Sequence, residues 1–253
     1  MNAIAVSFIV LVCVSSGALI GMLAQHLIPA HHLGADSKDG LKLTAGLIAT
    51  LTALVLSLLV ASAKGTYDTQ ANNIKQIASD IVLVDRLLAH YGADAKAARD
   101  QLRQIVEQDM ALIWPQQDGR PPDLAPPGTG GGAEALFDKI EELQPRDELQ
   151  RQIQGQAIQT VISLGKTRFL MFEDAGSSIS WPLLLVLVLW LVILFGAFGL
   201  LAPRNGTIIV ALFVGALSVS GAVFLILELD QPFGGWMQIS STPMRNVLAR
   251  LGQ

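Results

Sequence analysis

Thr50, Ser57 and Lys64 recur seven residues apart, and Asp68 follows four residues later. In a helix of 3.6 residues per turn such positions share one face. Hydroxyls followed by charges on a single face can replace part of an ion's hydration shell and set its sign. These four residues are therefore candidate pore-lining groups. A plainer reading competes with this one. Ser and Thr inside a helix can bond back to the preceding turn, and a Lys at the end of an apolar block can reach toward headgroups.

A second set of charges closes the last apolar block. Glu228 and Asp230 stand where a helix C-terminus disfavours anions, so they need a cationic partner. Lys64, Lys166 and Arg168 lie at suitable positions in the pattern. Lys64, Arg168, Glu228 and Asp230 are thus read as an interface charge cluster, either a set of salt bridges or a cation site at a pore mouth. His31 and His32, near Asp36 and Asp39, could touch a metal. Adjacent residues seldom converge on one ion, so a solvated loop is the expectation and no metal site is assigned. Cys13, the single cysteine, lies in an apolar block and reads as a small packing residue. No phosphate loop, nucleophile elbow or helical metal motif is present, so no catalytic residue and no cofactor is expected.

The elements that must hold these groups follow from composition. The 253 residues are 51% hydrophobic and 15% charged, against about 25% charged in soluble domains. The net charge of −4 gives no argument for nucleic-acid binding. The apolar residues gather in four blocks, at about 3–28, 41–63, 181–201 and 207–229, each long enough to span a bilayer. The first is too long for a signal-peptide core and has no Lys or Arg before Lys38. Its Gly17-x-x-x-Gly21 pair invites close helix packing, with a dimer face as one use. Residues 29–40 read as a polar loop.

From Leu41 to Tyr91 the chain contains no helix breaker, so one long helix is expected to leave the second span and continue as an amphipathic rod. Ile74, Ile77, Ile81, Val84 and Leu88 alternate spacings of three and four. This is a heptad seam, assigned here to an oligomer contact. Gly92 ends the rod and Asp94 is placed to cap the next helix, about 94–114. Residues 115–132 are rich in Pro and Gly and read as a flexible loop. Helices follow over about 133–143 and from Pro145 to Glu173, the latter returning along the rod. Ser180 is placed to cap the third span, and a tight turn at 202–206 makes the last two spans a hairpin. Residues 230–253 form a tail.

The expected architecture is an all-α integral membrane protein. Spans at about 3–28 and 41–63 form a first pair (1–63), a helical domain occupies 64–180, and a second hairpin spans 181–229. Of 17 Lys and Arg, the stretch from Lys64 to Ser180 holds 12. The positive-inside rule then puts this domain and both termini in the cytoplasm.

Three stretches carry a family resemblance. TAGLIATLTALVLSLLVASAKGTYDTQANNIKQIASDIVLVDRLL, WPLLLVLVLWLVILFGAFGLLAPRNG, and LILELDQPFGG with the later ISSTP resemble the bacterial bestrophin-like membrane proteins. Glu228-Leu229-Asp230-x-Pro232-Phe233-x-Gly235 is the most specific piece. The resemblance covers about 41–88 and 181–243. It implies distant kinship with bestrophins, homopentameric anion channels whose second helix lines the pore, and a bacterial inner-membrane location. Two features depart from it. The Arg pair usual after the aromatic-Asp step, here Tyr67-Asp68, is replaced by Thr69, Gln70, Ala71 and Asn72. The second span also lacks the aromatic residues that narrow bestrophin pores.

The reading is a homo-oligomeric channel or channel-like protein, a pentamer by resemblance, with inorganic ions and membrane lipid as its partners. The alternative is a non-conducting membrane scaffold that recruits a cytoplasmic partner through its amphipathic helices.

Overall fold

In the computed structural model the described residues are 2–27, 34–115, 132–175, 180–203 and 205–252. Every regular element among them is helical: α1 (Ala3–Leu27), α2 (Ala35–Tyr91), a short 3-10 turn (Ala93–Ala95), α3 (Lys96–Ile113), α4 (Gly132–Glu141), α5 (Glu148–Ala175), α6 (Trp181–Leu201), α7 (Gly206–Leu229) and α8 (Thr242–Leu248). Four of them, α1, α2, α6 and α7, are long and apolar enough to cross a membrane. The chain divides into two compact units. One comprises 1–65 and 178–230; the other comprises 66–177 and 231–253.

α2 runs unbroken for 57 residues, about 85 Å at 1.5 Å per residue. It starts earlier than the composition suggests. Asp36 stands in its first turn, where the helix dipole favours an anion, and Lys42 pairs with Asp39 at 2.8 Å one turn on. Residues 35–40 of the expected loop are therefore helical, while His31, His32 and the segment 116–131 lie outside the described residues. Gly92 ends α2 with a φ of 117°, a conformation that glycine adopts without steric cost.

In the first unit, α1 is the hub. Gly17 meets Val192, Gly21 meets Gly196, and Gly199 meets Ala18. The register rises on both helices together, so α1 and α6 run parallel. A Cβ at Gly17 would stand 2.7 Å from the Val192 carbonyl oxygen. The Gly-x-x-x-Gly pair is thus spent inside the chain, on α6, and not on a dimer face. Toward α7 the register reverses: Ser220 donates to the carbonyl of Ser7, and Met22 shares a groove with Ile209. Parallel for α6 and antiparallel for α7 is what four successive crossings require. At the end of α6 the Gln25 amide lies 2.7–3.1 Å from the carbonyl oxygens of Gly199, Leu200 and Ala202. These are carbonyls that a helix C-terminus leaves without internal partners.

The second unit has its own apolar core. Ile74, Ile77, Ile81, Val84 and Leu88 of α2 are buried in it with Leu102 and Val106 of α3, Leu136 and Ile140 of α4, and Ala157, Val161 and Met171 of α5. The Gln150 amide donates to the Tyr91 carbonyl, and Gln70 donates to the Met171 carbonyl. α5 therefore returns antiparallel to α2. The heptad seam is filled by the chain's own helices, which corrects its assignment to an oligomer contact. The tail joins this core as well, through Phe233, Ile239, Met244, Val247 and Leu251. α8 had no counterpart in the sequence reading.

Two caps differ from expectation, and a third had not been expected. Asp94 sits in the 3-10 turn, paired with Arg146 at 2.7 Å, and α3 starts at Lys96 without a side-chain cap. Ser180 holds the N-cap position of α6 but makes no capping bond. The cap of α5 is Asp147, which accepts from the Gln150 N–H at 2.7 Å.

Gly21→Ala or Gly199→Ala should place a methyl group against a facing backbone and cost about 1–3 kcal/mol. Gly155→Ala, with open space around it on α5, should be neutral or stabilising. Thermal unfolding in detergent should show a lower midpoint for the first two and not for the third. An unchanged midpoint for Gly21→Ala would contradict the close crossing.

Candidate functional site

The four pore-lining candidates lie on α2 and are all exposed. The opposite face of the helix is buried: Ala45, Thr52, Leu59 and Ala63 in the first unit, then Gln70, Ile74, Ile81 and Leu88 in the second. At 100° per residue the two sets stand roughly 150° apart. Lys75, Ser79 and Arg86 continue the exposed line of Thr50, Ser57, Lys64 and Asp68. Gly46, Ala49 and Ala53 flank it on one side. On the other side stand Leu47, Leu54 and Leu58, each more than 60% exposed. The plainer reading is correct for one residue: Thr50 bonds back to the Gly46 carbonyl at 3.0 Å. Thr44 and Thr52 do the same. The Ser57 hydroxyl makes no such bond among the described residues.

The charge cluster is distributed over both units. Lys64, Glu228 and Asp230 belong to the first, and Arg168 belongs to the second. Glu228 is 5% exposed, near the end of α7. Asp230 occupies the C-cap of α7, its N–H bonded to the Ile226 carbonyl. Arg168 pairs with Asp109 of α3 at 2.7 Å, a partner that sequence reasoning had not given it. Cys13 is a free thiol on α1. Among the described residues no group of three or more His, Cys, Asp or Glu side chains is placed to hold a metal.

Two largely buried ion pairs in the second unit were missed. Arg99 of α3 grips both carboxylate oxygens of Asp85, at 2.8 and 3.1 Å, and Asp85 is 3% exposed. This two-pronged bond raises the guanidinium pKa above its ordinary value. Arg168 and Asp109 line an otherwise apolar cavity of about 30 Å³ next to Ile105, Leu136 and Met171. Burial pushes the Asp109 carboxyl above its usual range, and the Arg168 charge only partly offsets this. Asp80, also buried, accepts from the Gln76 amide at 2.8 Å through one oxygen. The available signal was polar: Asp80 and Asp85 interrupt an apolar stretch of α2.

A family model described as Bestrophin-like domain matches residues 12–244. No curated protein and no solved structure matches the chain.

The Asp109 carboxyl holds its proton more tightly in the folded chain than in the unfolded one. Its contribution to stability therefore declines as pH rises from its ordinary pKa of 3.8 through the raised folded value. Comparing wild type with Asp109→Asn, the wild-type advantage in melting temperature should shrink as pH rises above the ordinary value of 3.8. An advantage that grows with that rise would contradict the burial argument.

Proposed function

The chain belongs to the bestrophin-like family, a channel-like membrane protein, and on that premise we propose that it is a homo-oligomeric ion channel lined by α2. The observation that carries this reading is the exposed polar line on α2, set opposite the face that its own chain buries. Ser57 directed into lipid would leave a hydroxyl without water, and Lys64 would hold its charge at the edge of the apolar block. A ring of copies that turns this line inward gives both groups water. The small-residue flank at Gly46, Ala49 and Ala53 allows a neighbouring helix to approach closely.

The sign of the ion follows from which charges stay exposed. From Lys64 onward, Lys64, Lys75 and Arg86 share the exposed line with one acid, Asp68, whereas Glu228, Asp80 and Asp85 are buried; Asp39, at the start of the same line, is paired with Lys42. Rings of Lys and Arg favour anions. The distribution of Lys and Arg supports placing residues 66–177 and both termini in the cytoplasm of a bacterial inner membrane. The scaffold alternative rested on an apolar amphipathic face offered to a partner, and that face is closed inside the chain.

Purified protein in planar bilayers should pass current under a salt gradient. Lys64→Glu should move the reversal potential toward the cation equilibrium value, with a change in permeability ratio of roughly threefold or more. Absence of current from wild-type protein would sink the channel reading. Current with a reversal potential indifferent to Lys64→Glu would remove α2 from the conduit.

A further inference from the structure

The second unit carries an open cavity of about 600 Å³ between the end of α3 and the tail. That volume suits a small organic molecule and greatly exceeds the needs of a bare halide. Its base is fixed. The Trp114 indole N–H donates to the Ile239 carbonyl at 2.9 Å, and its ring meets Phe233 edge-on with centroids 6.2 Å apart. Phe233 and Ile239 are themselves buried.

The polar lining is one-sided. Gln238, Ser241 and Arg245 face this cavity, and their side chains make no hydrogen bond or ion pair among the described residues. The Ser240 and Thr242 hydroxyls, also in the lining, lie 2.7 Å from each other. Among the described residues no Asp or Glu lines the cavity, and Arg245 is the formal charge on that described wall. A guanidinium fork with hydroxyl and amide donors around it matches an oxyanion that offers several oxygens at once.

We propose that this cavity binds a phosphate-bearing ligand, its phosphoryl oxygens on Arg245 and Ser241 and its remainder over Trp114. The site stands apart from α2, so it does not depend on the channel reading. A soluble phosphate ester and a phospholipid headgroup share the required chemistry.

The test is equilibrium dialysis of radiolabelled inorganic phosphate against the full-length protein in phosphate-free maltoside micelles. Competition follows with AMP, as a soluble ester, or with dioctanoyl phosphatidylglycerol, as a lipid. Wild-type protein should bind phosphate saturably, and the stronger competitor identifies the source. Arg245→Gln should weaken binding at least about tenfold and Ser241→Ala several-fold. Arg250→Gln, an exposed tail arginine outside the cavity lining, should leave binding unchanged. Circular dichroism on each variant verifies the fold. The proposal is overturned if wild-type protein shows no saturable binding up to about 10 mM phosphate. Equal weakening by Arg245→Gln and Arg250→Gln overturns it too, as does phosphate binding that neither ester displaces.

Discussion

Burial of one face of α2 decides what most of the other helices do. In the first unit that face contributes Ala45, Thr52, Leu59 and Ala63; in the second it contributes Ile74, Val84 and Leu88 to the apolar core. A helix has one circumference, so the far side of α2 stays exposed in the single chain, with Thr50 bonded back to its own helix. Near Thr50 and Ser57 the far side is a thin polar line between leucines and small residues. Beyond Lys64 it becomes charged. The division between buried seam and exposed line keeps nearly the same azimuth for the length of the helix. That constancy is what makes α2 suited to a wall with different surroundings on its two sides.

Rods of this kind create many orphan carbonyls at their C-termini, and amide side chains meet that need repeatedly. Gln25 reaches the end of α6, Gln150 the end of α2, and Gln154 the Ile140 and Leu143 carbonyls at the end of α4. An amide group supplies donors without a charge, which suits positions where burial makes an unpaired ion costly. Charge is kept where it can be paired closely, as in Asp85 with Arg99. Together with the glycine crossing of α1 and α6, these bonds hold each unit by short-range geometry more than by large side chains.

Much of the fold was legible because it is written in long apolar blocks and one strict periodicity. The spans, the unbroken α2, its stop at Gly92 and the return of α5 all followed from spacing. What spacing could not supply was the partner. The seam at Ile74 to Leu88 and the pair Gly17 and Gly21 were correctly read as packing surfaces, but the same pattern serves a second copy or the chain's own helices. Only the three-dimensional register shows the latter. Asp109 and Arg168 are 59 residues apart in sequence, so no local pattern links them. The cavity beside Trp114 is assembled from two distant stretches of low periodicity. The tail helix was missed for a related reason, since seven residues carry too little amphipathic signal to mark a face.

The central claim is that the exposed line of α2 meets water at membrane depth and the leucine flank does not. Cysteine accessibility reads this directly. With Cys13→Ala as background, Ser57→Cys and Leu58→Cys proteins in lipid bilayers would be exposed to a membrane-impermeant, charged thiol reagent. The account predicts rapid modification at position 57 and slow or no modification at position 58. Equal protection of both positions, with the thiols shown to react after solubilisation, would contradict it.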